Sequence, residues 1–483
     1  MQPRRLIALV LTILAGVWLV RSEVSPTLAQ NGVSLLAQAA SSDWPVQVGG
    51  NPARNGLSAA FGPTAPTLLW QGGTSTVYVN QAVIEGNIVV SDRTPNPGDY
   101  ANGSLLEARN LTTGALLWTA KLPGDQEHVQ LLGINNGQVY ASRAFNGKSD
   151  NIYALDANTG GMLWKSADTI EVARGLNLAA NGDLIIGKQN SLLRINQASG
   201  ARVWSLSRPC PVSDTCGAAV FGERAYIWEA TNSGPRIAVV DLDQGSKLYA
   251  GPPTGGLVQQ VLPFVGPDGT VYAPRTQNNP AVDYLIAYTD TGKELKEKWR
   301  SPLGYVPSAS CGVGPDGSVY SYSRQQEVLR LDPHSGAVIN RSDPLVTAYG
   351  LSGRMVIDAG GVIYLSNGGY NDGALFSFNP DLSLRWSVNI RFISLSGVSL
   401  GQNNVLVVSG DGTNLRAYRT ESISTAVPTG TATATATATL TATETATPTT
   451  APTALATATA ANEQRWLLYA PIIVHSGVSA GSR

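Results

Sequence analysis

The chain has 483 residues, with 33 basic side chains set against 34 acidic ones and only 14% of positions charged. No basic footprint exists for a nucleic acid to follow, which argues against that class of partner. High glycine (51 residues) with low charge is the composition of a turn-rich all-β protein, and the length is ample for a buried core.

In chain order, the first element is a targeting segment. Arg4 and Arg5 precede a 15-residue apolar run, 6–20, closed by Arg21. A basic start and a short apolar stretch describe a secretory signal. Thr27-Leu-Ala29 offers a cleavage site, so residues 1–29 read as a signal peptide, or as an uncleaved N-terminal anchor, and 30–42 as a linker. No cysteine follows the apolar run, which argues against a lipid anchor there.

A recurring pattern dominates residues 43–420. It reads Leu111-Thr-Thr-Gly-Ala-Leu-Leu-Trp118, then Asp156-Ala-Asn-Thr-Gly-Gly-Met-Leu-Trp164, and returns ending at Trp204 and Tyr249, with weaker copies ending at Trp299, Asn340 and Trp386. The ends are spaced 40 to 50 residues apart, a period that marks a repeat architecture. Each unit holds four short alternating runs broken by Asn-Gly, Asp-Gly or Thr-Gly, the hairpin signal. No stretch within 66–420 sustains a 3.6-residue period, which excludes a helical solenoid. Four antiparallel strands repeated radially make a propeller blade.

Seven units are complete, and an eighth, starting near Ser396, lacks its Trp strand. Pro66-Thr-Leu-Leu-Trp70 is a Trp strand with no blade before it, so pairing the two closes the ring. The expected fold is therefore all-β: an eight-bladed β-propeller of four-stranded antiparallel blades, closed by an N-terminal strand paired with the last blade. Trp70, Trp118, Trp164, Trp204, Trp299 and Trp386 are expected to wedge between adjacent blades, each burying roughly 150–250 Å². The glycine four residues before the repeated Trp permits a turn that a side chain would obstruct.

The turn-plus-Trp element resembles the tryptophan-docking motif of propellers of the pyrroloquinoline-quinone (quinoprotein) type. The lead-in Asp43-Trp-Pro-Val-Gln-Val-Gly-Gly-Asn-Pro-Ala-Arg-Asn-Gly56 is similar to the segment opening many secreted propellers of that group. The group includes quinone-dependent dehydrogenases and a non-enzymatic lipoprotein that assists outer-membrane protein assembly. A dehydrogenase would imply pyrroloquinoline quinone with calcium, for which Trp228 and Glu229 are the nominees, as a stacking ring and an acid. Adjacent cysteines, which many such alcohol dehydrogenases carry, are missing, and no C-x-x-C-H haem motif occurs. The missing N-terminal lipid cysteine departs from the assembly lipoprotein.

Function is expected on one rim. In a four-stranded blade the first and third turns share a rim, and here they are tight. Middle loops and blade-to-blade links share the other, and they are long and varied, as at 92–100, 275–283 and 367–372. Loops on a rigid scaffold are where function concentrates. The candidate binding face comprises Asp92, Arg93, Tyr100, Glu127, His128, Glu171, Arg174, Arg275 and Tyr370. No catalytic or metal-ligating set emerges: the three His residues, at 128, 334 and 475, are widely separated, and His334 reads as a solvated turn residue. Cys210 and Cys216, in a Pro-containing link, are expected to form a local disulfide, and Cys311 to be a buried inert thiol. Sequons at Asn102, Asn110 and Asn340 read as chance matches.

Residues 421–461 are almost entirely Thr, Ala and Pro and are expected to be a disordered stalk. In the closing segment, 462–483, the apolar part is nine residues, far short of the ~20 of a membrane helix. It reads as a sorting or attachment tail, or as a sticky segment. The whole is expected to be a secreted or cell-envelope monomer without cofactor. It would be a non-catalytic module presenting loops to a protein or glycan, with attachment to membrane or cell surface through its termini. The alternative is the quinone and calcium dependent dehydrogenase of alcohols or sugars.

Overall fold

The computed structural model describes residues 43–420, apart from 73–75, 79–80, 96–103, 125–127, 145–147, 172–174, 212–215, 255–261, 279–280, 304–310, 324, 326, 346–354, 368–372, 391–396 and 411–413. The expected leader, linker, stalk and tail lie outside the described residues, as do Tyr100, Glu127, Arg174 and Tyr370.

Described strands form eight antiparallel sheets. Strands β1 (Leu68–Gly72) and β2 (Thr76–Tyr78) precede blade 1, which is β3 (Val83–Glu85), β4 (Ile88–Pro95), β5 (Leu105–Asn110) and β6 (Leu116–Ala120). Blade 2 is β7 (Gln130–Asn135), β8 (Gln138–Ser142), β9 (Asp150–Asp156) and β10 (Met162–Ile170). Blade 3 is β11 (Leu176–Leu178), β12 (Leu184–Gly187), β13 (Ser191–Ile195) and β14 (Arg202–Ser207). Blade 4 is β15 (Ala218–Phe221), β16 (Arg224–Glu229), β17 (Arg236–Asp241) and β18 (Ser246–Ala250). Blade 5 is β19 (Phe264–Val265), β20 (Val271–Asn278), β21 (Ala281–Asp290) and β22 (Leu295–Leu303). Blade 6 is β23 (Gly312–Val313), β24 (Val319–Tyr322), β25 (Val328–Leu331) and β26 (Val338–Arg341). Blade 7 is β27 (Val356–Ile357), β28 (Ile363–Asn367), β29 (Ala374–Phe378) and β30 (Leu384–Asn389). Blade 8 is β31 (Val398–Gly401), β32 (Val405–Gly410) and β33 (Asn414–Tyr418), completed by β1.

The ring closes as the repeat count requires. Strand β1 runs antiparallel to β33, with Leu68 opposite Tyr418 and Trp70 opposite Ala417. One difference from the expectation lies in blade 1. Its second strand, β4, overshoots its innermost partner, and the extra length pairs with β2, so this sheet has five strands rather than four.

Burial explains the strand sequences. Second strands such as β12 (Leu-Ile-Ile-Gly) are buried on both faces and read as continuous apolar runs. Outermost strands alternate, as in β22, because one face meets solvent. The Asn136-Gly137 turn of blade 2 takes φ of 50° and 72°, the left-handed pair that matches strand twist in a two-residue hairpin.

Adjacent blades meet at a repeated joint. Trp118 Nε1 donates to Ala157 O at 2.8 Å, and its indole lies where a Cβ on Gly160 would come within 2.8 Å. The same indole-to-carbonyl bond joins Trp70 to Leu111, Trp164 to Gln197, Trp204 to Leu242 and Trp299 to Pro333, at 2.8–2.9 Å. In each case the glycine three residues beyond that carbonyl is the one under the ring, at φ between 63° and 72°. Glycine is required there twice over, for its backbone conformation and for its missing Cβ.

Candidate functional site

The channel at the hub is bounded by the eight innermost strands, each a sheet edge with backbone groups that need partners. The lead-in supplies them. Trp44 exchanges both backbone bonds with Ile84 of blade 1, at 2.8 and 2.9 Å. Ile134 N donates to Pro45 O, Val220 N to Pro52 O and Val265 N to Ala53 O, at 2.7–2.9 Å. Val313 N then donates to Asn55 O at 2.9 Å, and Ile357 N to Gly56 O at 2.8 Å. Blade 3 joins through side chains, with Asn177 Nδ2 donating to Pro52 O at 2.7 Å and Arg54 Nη2 to Leu176 O at 2.7 Å. Residues 44–58 thus form a seal bonded to seven blades. The backbone partners in blades 2 and 4–7 sit at the ends of the innermost strands nearest the first turns, so the seal lies on the tight-turn rim.

Two glycines and an arginine shape the seal. Gly50, at φ +71°, lies under the Trp44 indole, where a Cβ would fall 2.3 Å from the ring. Arg54 adopts φ 58° and sends its guanidinium to the carbonyls of Val48, Leu176 and Ala218. Burial lowers its pKa to about 9. Three carbonyl dipoles oppose that cost of burying a cation.

On the opposite rim, buried arginines anchor blade-to-blade links. Arg143, just past β8, donates to the carbonyls of Leu122 and Gly124 at 2.8 and 2.9 Å. Arg208 donates to Trp228 O at 2.9 Å and to Cys216 O. Arg275 donates to Thr254 O at 3.2 Å and lies over the Trp228 ring, 5.2 Å from its centroid. Burial lowers both Arg208 and Arg275 to about 10.

The predicted rim residues fall into different settings. Asp92 is buried and accepts from Leu131 N at 3.2 Å, tying blade 1 to blade 2. Arg93 is paired with buried Glu107, which also takes Arg109 Nε at 2.6 Å. Arg275 is the link anchor just described. His128 is half-buried before β7, and half-buried Glu171 faces Lys188 at 3.6 Å before β11. Cys210 and Cys216 are joined in a disulfide with Cα atoms 5.6 Å apart. Cys311 lies just before β23, buried, with burial pushing its thiol up to about 12.

A quinone would need a ring to stack on and an acid to use. Trp228 has no exposed surface and sits in the core between blades 4 and 5, beneath Arg275. Glu229 is held by Arg236 Nε at 2.8 Å and Lys247 Nζ at 3.0 Å, and although burial opposes ionisation these bonds hold it below the usual carboxylate range. Both nominees are spent on packing and pairing and do not fit the group. Among the described residues no three His, Cys, Asp or Glu side chains gather to hold a metal.

The hub seal was not read from the sequence. Its signal is the lead-in itself: one Trp, two consecutive glycines and an Asn-Pro-Ala-Arg-Asn-Gly run without alternation, too irregular for a strand. Two of the anchors had a clearer one, an arginine within or just past a second strand, at 143 and 275.

Eight blades, indole joints and a strand-paired closure define a propeller of the pyrroloquinoline-quinone type. The chain belongs to the family described as outer membrane protein assembly factor BamB, whose model matches residues 101–342. No curated protein sequence matches it. Among solved structures it is similar to the quinohemoprotein alcohol dehydrogenase from Comamonas testosteroni (12% identity, 79% of this chain and 81% of that one, TM-score 0.52). It is also similar to the Dos1 propeller (12%, 73% and 95%, 0.54) and to the computationally designed Ika8 protein (12%, 74% and 100%, 0.52). At that identity the likeness establishes the fold, and one fold hosts many functions.

Proposed function

We propose that the chain is an exported, non-catalytic binding module that presents its long-loop rim to a protein or glycan at or beyond the cell surface. The observation that carries the reading is the division of labour between the rims. One rim is sealed by residues 44–58, while buried arginines brace the links of the other. A rigid disc with braced loops suits display rather than turnover. Membership of a family described as an assembly factor supports a protein partner over a small substrate. The disulfide fits an oxidising compartment.

Two measurements test this. Given pyrroloquinoline quinone, calcium and an artificial electron acceptor, the purified protein should not oxidise alcohols or sugars above background. Saturable turnover lost in Glu229→Gln would install the dehydrogenase instead. Substituting Tyr100 and Tyr370, between second and third strands, should weaken capture of envelope proteins or glycans while the melt stays unchanged. Undiminished capture would remove the long-loop rim from the proposal.

A further inference from the structure

We infer that the depression over the hub seal is a second binding site, which takes an arginine side chain of a protein partner. Its volume is about 270 Å³, with Pro52 and Phe221 among its apolar walls and Asp43, Glu85, Asn51 and Asn55 among its polar ones. That is just below the ~300–1,000 Å³ of drug-sized ligand pockets and suits one long side chain.

Donor and acceptor accounting selects the ligand. Asn51 Nδ2 gives its hydrogens to Asn55 Oδ1 at 2.7 Å and Leu57 O at 2.8 Å. Asn55 Nδ2 donates to Val265 O at 2.8 Å, and Asn136 Nδ2, also in the lining, to Gln197 Oε1 at 3.0 Å. Asn51 therefore has no donor left for a ligand, while Asn55 and Asn136 each keep one amide hydrogen. Asn51 Oδ1 is buried and makes no hydrogen bond among the described residues. Glu85 Oε2 takes Gly137 N at 2.8 Å, which leaves the rest of the carboxylate's acceptor capacity. The lining holds two carboxylates and no lysine or arginine. The neighbouring cation, Arg54, is turned to the carbonyls of Val48, Leu176 and Ala218.

Such a lining repels anions and, with two carboxylates and no cation, favours a cationic ligand over a neutral one. It matches a cation rich in N–H groups. A guanidinium presents five donors in a planar fork suited to carboxylate and amide oxygens. Its methylene stem can lie on the proline walls and its face near Phe221. This site adds a contact on the sealed rim and is separable from the long-loop rim.

The test uses the full chain and a capped Gly-Arg-Gly peptide, its citrulline counterpart and methyl glucoside, titrated calorimetrically at low and high salt. The arginine peptide should bind saturably, weaken with salt, and exceed citrulline by about tenfold or more. Glu85→Gln keeps an acceptor for Gly137 N, so it should melt normally yet lose about fivefold in affinity. Tyr100 and Tyr370 variants should bind the peptide as the parent does, which separates this site from the loop rim. Equal affinity for citrulline, binding of the glucoside in place of the peptide, or no saturation by about 10 mM would overturn the assignment.

Discussion

Five of the eight joints use an indole over a glycine, and three do not. From blade 4 to blade 5 the ring is Tyr249, whose hydroxyl meets Asp290 Oδ1 at 2.5 Å. From blade 6 to blade 7 the residue is Asn340, bonded to Asp381 O, and the facing turn carries Leu382 at φ 67° where the others carry glycine. From blade 7 to blade 8 the indole is present, but Trp386 Nε1 is buried with no partner among the described residues. The third and fourth strands of blade 8 come from opposite ends of the domain, so no turn supplies the carbonyl. The contrast shows that the joint is an agreement between two residues on different blades. Where the indole is lost, the prohibition on a side chain opposite it is lost as well, and buried Leu382 occupies that position.

The most disruptive challenge removes both closing devices. Deleting residues 43–72 takes away β1 and the hub seal. Seven innermost strands would then face the channel with unmet backbone groups, and β33 would become a free edge. The expected outcome is aggregation, or loss of the cooperative thermal transition in calorimetry. A truncated protein that melts like its parent would show that joints alone hold the ring.

At an indole joint, Trp118→Ala should cost about 3–5 kcal/mol in urea unfolding, through the cavity it leaves. Ligand binding by the folded fraction should be unaltered. Loss of binding at unchanged stability would move this residue from scaffold to site.

The Tyr249 joint should behave differently, because it is electrostatic. Burial opposes ionisation of Asp290, yet donors from Tyr249, Gly292 N, Tyr226 and Arg224 outweigh it and hold the carboxyl below its usual range. A depressed folded pKa means that its stabilisation is complete above the unfolded value, near 3.9, and fades as pH falls through the folded one. Asp290→Asn should cost about 3 kcal/mol at neutral pH, since Arg224 is left buried and unpaired. It should also flatten the fall in stability below about pH 4. An unchanged acid limb would locate that titration elsewhere.

These joints show which parts of the molecule were legible in the sequence. Blades and closure could be read because alternation, tight turns and the Trp period are local, and a Trp strand left over at one end matches a blade left short at the other. The seal could not, because its partners are brought together only by the closed ring: Leu57 bridges to Ile357, 300 positions away in the chain. For the same reason Arg93 and Arg275 stood out beside long loops, while the burial that turns Arg275 into a link anchor did not. Leu382 looked like an ordinary turn residue, and only the neighbouring blade's Asn340 explains why it is admitted.

That pairing yields the smallest and sharpest test. Asn340→Trp alone should force an indole against Leu382 and destabilise by about 1–3 kcal/mol, the usual cost of overpacking. Leu382→Gly alone should also destabilise, by emptying a buried position, although it relieves a left-handed backbone that leucine tolerates poorly. If the two residues answer to each other, the double variant rebuilds the joint found at Trp299 and Gly336. Its loss should then be smaller than the sum of the single losses by about 1 kcal/mol or more in a urea double-mutant cycle. Strict additivity would mean that indole and glycine are separate habits of the repeat, and that Leu382 owes nothing to the missing tryptophan.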